Sequence, residues 1–508
     1  MELEKTYAQV RQETEERNGN HYPAKVLAEL DSRANYNRSK TRWMPHLRSV
    51  NEAHVVMLCE QGILPGEDAS IILKTIEGLD YEGYQNTEYS GEFEDMYFQQ
   101  EAEIIKKSNG VGASMHVARS RNDMCMTWSH LGVRDYLLSA VTHLIALQNT
   151  VRLFAGEYKD TLYVIHTHTQ HAQPGIFGHY FLGFLDVIDR CIKRFKYAYE
   201  QTNVSPMGAA AVTTTAFPIS RERVCELLGF DALIENSFDC IGNSDYYFTA
   251  ASAVSLCALD LGRTVTDMVL WATEEEKMII LSDGYSSTSS IMPQKRNPIA
   301  LEHLRSSLSV TKGLADAVLT GFLKSPYGDI ADYEDIDDTL YDACVHLERN
   351  VDVLNAVIAT MDVNKELLEK RAFESFSVVT EIADEMYRSY QIPFRKAHGF
   401  VSFMVRKARS CDYNLKYMNR DFYAETWQEY FGEPFELDFT PMKECIDPRR
   451  FVTVREIIGG TGPKAMEDQL VSAREKVDRN KEWYEQVTGK LEESANKRMA
   501  AVHSIITG

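Results

Sequence analysis

The stretch Leu281–Leu304 reads LSDGYSSTSSIMPQKRNPIALEHL. Gly284 and six serines or threonines fill most of its first ten positions. They favour loop geometry, because hydroxyl side chains compete for backbone hydrogen bonds and glycine costs helix entropy. Pro298 then opens an apolar run and suits a helix first turn, where its missing donor is harmless. Lys295 and Asn297 therefore stand ahead of a helix N-terminus, a place that welcomes an anion. Glu302 lies one turn inside, able to orient a histidine brought in from another segment. The bland alternative is a Ser/Gly-rich linker.

Two further stretches carry chemistry-bearing side chains. In Ala118-Arg119-Ser120-Arg121-Asn122-Asp123, preceded by His116, two arginines with a serine and an asparagine at the mouth of a long helix suit a bidentate grip on carboxylates. A solvated cap is the competing reading. In Ile165-His166-Thr167-His168-Thr169-Gln170-His171-Ala172-Gln173-Pro174, the histidines match no standard metal spacing. A histidine in a polar loop serves better as a proton shuttle, since it titrates near neutrality without help. Surface or capping roles are the alternative.

The elements that must position these residues are helical. From about Asp123 to Asp362, apolar residues recur at intervals of three and four through Leu131–Phe154, Asp245–Lys277, Pro298–Leu323 and Tyr341–Met361. Helices of this length lie in bundles or against symmetry mates, and no period-two stretch is long enough to build a sheet. The chain divides into an N-terminal, mostly helical domain (1–118), a central long-helix domain (119–365) and a smaller C-terminal helical domain (366–508). The last ends in a charged helix, Lys464–Ile506, expected to be solvated or intersubunit.

Composition narrows the partners. Of 508 residues, 44% are hydrophobic and 25% charged, as in an ordinary globular protein. A net charge of −21 argues against nucleic-acid or anionic-membrane binding. Nine scattered cysteines without a CxxC pair fit reduced thiols in a cytoplasmic protein. The charged N-terminus lacks the apolar core of a signal peptide, and no apolar run is long enough to span a membrane.

Together, and in this order, the three stretches resemble the motif regions of the fumarase/aspartase superfamily, and within it the argininosuccinate lyase/delta-crystallin subgroup. The segment Thr288-Ser289-Ser290-Ile291-Met292-Pro293-Gln294-Lys295-Arg296-Asn297-Pro298 is similar to the third region, G-S-S-x-M-P-x-K-x-N-P. HxxRSRND and THxQxAQP are the subgroup's forms of the other two. Ile392–His398 and Gly459-Gly460-Thr461 are similar as well, so the likeness covers about residues 25–475.

The resemblance implies an all-α, three-domain fold around a long helical bundle, assembled as a homotetramer whose active sites are each shared among three subunits. It implies reversible β-elimination of an amine from an N-(1,2-dicarboxyethyl) (N-succinyl) substrate to give fumarate, a small-molecule dicarboxylate chemistry with no cofactor and no metal. Ser289 would be the base, His168 the proton donor or its organiser oriented by Glu302, and Thr167 a substrate contact. Lys295 would pair with the carboxylate that gains charge. Ser120, Arg121, Asn122, Gln173, Ser290, Met292, Asn297 and Tyr327 would complete the binding set.

Four positions depart from the subgroup pattern. Thr288 stands for glycine, Tyr97 for histidine and Ser244 for arginine. The stretch Tyr327–Asp335 has one extra residue and lacks the usual lysine. By resemblance the latter positions serve the amine side. Three readings follow: argininosuccinate lyase itself, a lyase of another N-substituted aspartate such as an aminopolycarboxylate of the ethylenediamine-disuccinate type, or a catalytically silent structural homologue like delta-crystallin.

Overall fold

The computed structural model describes residues 5–508. Its site-bearing elements, in chain order, begin with α1 (Met44–Glu60) and α2 (Met96–Lys107). Then come α3 (Arg121–Glu157), the strands β1 (Leu162–Thr167) and β2 (Gln170–Ile176), and α4 (Phe177–Thr202). The long helices α5 (Asp245–Trp271), α6 (Ile299–Gly321) and α7 (Asp332–Thr360) follow. The C-terminal part holds α8 (Val379–Tyr390), α9 (Phe394–Ser410), α10 (Arg420–Phe431) and α11 (Pro463–Thr507). The fold is all-α apart from short two-stranded ladders.

Helices α3 to α7 pack along one another because each carries a continuous apolar stripe. Leu137, Val141, Leu144 and Val151 of α3 meet Phe181, Leu185 and Ile192 of α4 and Val254, Leu261 and Val265 of α5 in one buried cluster. A second cluster joins α1 to Met124, Trp128 and Leu131 of α3. A third is confined to residues 382–445.

Helix bounds differ from the periodicity in instructive ways. α3 begins at Arg121, ten residues before the apolar stripe, because Ser120 caps it: its Oγ accepts from Asn122 N at 3.3 Å and Asp123 accepts from Ser120 N at 2.9 Å. α7 begins at Asp332 rather than Tyr341, since buried Tyr333, Ile336 and Leu340 extend its stripe. α5 stops at Trp271, its last stripe residue.

Two expectations are corrected. The stretch Leu162–Ile176 is a β-hairpin and not an open loop, with His168 and Thr169 as its two-residue turn. Its tip is polar on both faces, so no alternation marks it. The terminal helix α11 is not merely solvated. Ala465, Met466, Ala473 and Val477 lie buried along it, Met466 and Ala473 within the central cluster; Asn480 bonds Gln148 and Asp189 at 3.0 Å, and Val502 reaches the α1 cluster. It straps the two ends of its own chain together. No helix among the described residues is long and apolar enough to cross a membrane.

Candidate active site

The loop before α6 is shaped by a short ladder in which Ser287 and Thr288 pair with Asn297 and Arg296. Arg296 anchors its base, donating to the Leu281 carbonyl at 2.9 Å and pairing with Asp283 at 2.7 Å. Within the loop the Ser289 hydroxyl oxygen accepts from Ile291 N at 3.3 Å and Met292 N at 3.2 Å. Ser289 is half-buried, while Ser290, Met292 and Lys295 are exposed at the rim. Asn297 donates to Ser287 Oγ at 3.3 Å, and Glu302 is exposed on the first turn of α6.

The hairpin carries Thr167 and His168 to an exposed tip. Its two turn residues have left-handed backbone, φ 51° at His168 and 60° at Thr169, the geometry of a type I′ turn that ordinarily takes Asn-Gly. Gln173 donates to Thr380 Oγ1 at 3.2 Å, tying β2 to α8.

Ser120, Arg121 and Asn122 form the first turn of α3. Both arms of the Arg121 guanidinium are engaged, with Glu94 and with buried Asp95, each at 2.7 Å. Asn122 donates to the Ala211 carbonyl at 3.2 Å. Asp123 is fully buried and accepts from Gly208 N at 3.0 Å and Ala210 N at 2.9 Å, and burial pushes its carboxyl up to about 6. Tyr97 OH, where a histidine is expected, lies 2.9 Å from both His116 Nδ1 and a Glu101 oxygen.

One chain does not bring these pieces together. Arg121 starts α3 and the hairpin follows its end; 37 residues at about 1.5 Å rise put roughly 55 Å between them. The Ser289 loop lies at the hairpin's end, since Ile279 pairs with Val363 and Lys365 reaches Glu157 at 3.4 Å. No hydrogen bond or ion pair among the described residues joins His168 or Thr167 to Ser289, Lys295 or Glu302.

At the Arg121 end a cavity of about 340 Å³ opens between α3 and the start of α7. The divergent stretch Tyr327–Asp335 supplies Asp329 and Tyr333 to its wall, whereas sequence reasoning misses Trp43, Trp128 and Asp337. They converge from distant segments, so no local pattern marks them. Two of the departures meet here: Ser244 Oγ is 2.7 Å from Tyr333 OH, which also donates to the Gly242 carbonyl at 3.1 Å. Tyr327, 59% exposed, donates to Asp239.

A metal is not the natural occupant of the one acidic and thiol grouping found among the described residues, Glu381, Glu385 and Cys445. Arg388 bonds both carboxylates at 2.5 Å and Arg455 reaches Glu381 at 2.7 Å, so the charge there is already compensated.

Comparison with known proteins gives the family. Residues 81–313 match the lyase family model and residues 376–453 the argininosuccinate lyase C-terminal model. Argininosuccinate lyase of Methanocaldococcus jannaschii is 35% identical, over 84% of this chain and 87% of that one. This chain belongs to the argininosuccinate-lyase-like branch of the fumarase/aspartase superfamily. Argininosuccinate lyase 2 of Agrobacterium fabrum is 33% identical over 90% of this chain and 91% of its own length. The structure of EDDS lyase in complex with formate superposes with a TM-score of 0.83 at 28% identity, covering 92% of this chain and 93% of that one. Fumarate lyase from Mesorhizobium sp. BNC1, at 14% identity and TM-score 0.70 over 87% of this chain and 97% of its own, shares the superfamily fold. The family-model match at 81–313 contains all three motif regions of this member.

Proposed function

We propose that this lyase catalyses reversible β-elimination of an amine from an N-succinyl substrate, releasing fumarate, with Ser289 as the base. The observation that carries the reading is the pair of backbone N–H groups, from Ile291 and Met292, aimed at Ser289 Oγ. A serine hydroxyl must lose several pKa units to remove a carbon-bound proton, at about 1.4 kcal/mol per unit. Two fixed donors and the nearby Lys295 cation stabilise the alkoxide, and exclusion of water strengthens both. Lys295 also suits the carboxylate that becomes an aci-carboxylate dianion, so its attraction grows towards the transition state. His168, oriented by Glu302, then protonates the leaving nitrogen.

The separation along α3 requires other copies. In a homotetramer the first-turn residues of one α3, the hairpin of a second chain and the Ser289 loop of a third meet at one site. Large apolar side chains exposed on the long helices support such an assembly, including Leu153 on α3, Leu256, Leu259 and Leu270 on α5 and Val310 on α6.

The test is fumarate consumption in the presence of a panel of amines, followed by ultraviolet absorbance, for the intact protein and for Ser289→Ala. Turnover with at least one amine, abolished in the variant with its oligomeric state unchanged, is expected. No turnover of any amine in either direction would replace this reading with a silent homologue.

A further inference from the structure

The cavity beside α3 is walled by Trp43, Trp128, Tyr333, Glu94, Asp329 and Asp337. Arg121 is the one cation on this wall, and Glu94 and Asp95 already bind it at 2.7 Å each. Carboxylates are therefore in excess over cations. A second observation shows that the excess is not idle. Asp337 is 3% exposed, its Oδ1 accepts from Tyr247 OH at 3.1 Å, and its Oδ2 has no hydrogen-bond partner. A buried carboxylate oxygen without a donor is costly. Arg38 and Arg42, beyond the wall, are both paired with Asp338; Arg38 also lies over the Trp43 ring at 5.5 Å, and the two reach Asp337 through their field and not by a hydrogen bond to Oδ2.

The rest of the wall points to the same occupant. Trp43 and Trp128 stack with ring centroids 5.4 Å apart, and Tyr333 adds a third ring. Aromatic faces attract cations and offer an anion nothing. The hydroxyl of Ser244 meets Tyr333 and brings no charge to it. The mouth of the same cavity includes Arg121 and Asn122 on the first turn of α3, the positive end of a helix dipole. A ligand with an anionic head at that turn places its other end among the carboxylates and rings.

We infer that the amine released by this enzyme carries a second cationic group and no carboxylate: a diamine, or a guanidine on an aliphatic stem, with its charged end beside Asp337. This deepens the lyase reading and rests on it. The succinyl end stays with the helix turn and the Ser289 loop. An amino-acid product would set its carboxylate against Glu94, Asp329 and Asp337.

Matched pairs of amines that differ only in a carboxylate test the inference. Fumarate addition is measured with 1,2-diaminoethane against 2,3-diaminopropionate, 1,4-diaminobutane against ornithine, and 4-guanidinobutylamine against arginine. In at least one pair the member without the carboxylate should react with kcat/KM higher by about tenfold or more, the weight of one misplaced charge. Asp329→Asn, at the exposed side of the cavity, and Asp337→Asn should both shrink that gap, chiefly through KM. Equal or better turnover of the carboxylated member in every pair would overturn the inference while leaving the lyase reading intact. If no amine turns over, the lyase reading has failed. Calorimetric titration of the same pairs into the intact protein then decides the subsite alone: tighter binding of the diamines supports it, and equal or weaker binding overturns it.

Discussion

At the start of α3, Arg121 is held by two carboxylates, Asp123 by buried backbone donors, and Trp43 and Trp128 stack in the core. At the other end of the same helix His168 sits exposed on a hairpin tip, and Ser289 and Lys295 occupy an open loop with few partners beyond their own backbone. The first end is finished within one chain. The second is an unfinished surface whose parts match the superfamily motifs closely. A general elimination chemistry placed on exposed segments can be completed by neighbouring copies, whereas discrimination among amines needs a buried wall that a single chain builds for itself.

The largest effect that would break this contrast comes from pairing dead variants. Ser289→Ala should lower turnover about 10³-fold, the scale of losing a positioned base, and Asn122→Ala should be similarly poor through lost binding at the first turn of α3. Refolded together, the two should regain about a quarter of wild-type activity, because half of the loops and half of the helix turns are intact and they combine independently across subunits. Rates of the mixed protein that stay at the level of the separate variants would place both ends in one chain's site.

Lys295→Met comes next. In the proposed mechanism its charge acts mainly as the carbanion forms, so kcat should fall about 10²- to 10³-fold with a smaller rise in KM. An effect on KM alone would make Lys295 a ground-state anchor and move the source of alkoxide stabilisation wholly to the backbone donors.

The closed end was harder to foresee than the open one, and for a physical reason. Ser289, Lys295, Asn297 and Glu302 lie within fourteen residues, so their order along the chain is their arrangement in the loop. Asp337 and Trp43 are nearly three hundred residues apart, and only the packing of α7 against the first turns of α3 makes them neighbours. The helices were legible because their stripes keep the 3.6-residue period. The hairpin was not, because His168-Thr169 is far from the Asn-Gly that usually announces a type I′ turn. The inner face of α11 escaped notice because its buried positions are few and mostly small.

The closed end should also weaken first in acid. His54, with Nε2 2.9 Å from the Val117 carbonyl, is pulled down to about 3 by burial; His130, with Nδ1 2.7 Å from the Thr202 carbonyl, is pulled down to about 4 by burial. Each takes a proton readily only after unfolding, so each loses stability as pH falls below its ordinary 6.5. Asp123 works the other way, protonating in the fold near 6 rather than 3.8 and so gaining stability as pH falls between those values. For these three groups the two losses outweigh the gain, for a net cost of about 2 kcal/mol at pH 5 relative to pH 7. Urea unfolding at the two pH values measures it, and His54→Gln should remove a large share of the drop. A stability that is flat from pH 7 to pH 5 would show that this end is as open to water as the other.

The smallest effect tests whether the open end is truly unburdened by structure. A β-branched residue at φ 60°, as at Thr169, costs of order 1 kcal/mol, and no chemical role falls to its side chain. Asparagine tolerates left-handed backbone, so Thr169→Asn should raise stability by about 1 kcal/mol in thermal unfolding and leave kcat within about twofold. Strain at His168 stays, since the proposed mechanism requires its imidazole. If the variant gains stability and loses tenfold or more in kcat, the tension in the turn aims the imidazole, and the hairpin tip is as closely built as the cavity at the far end of α3.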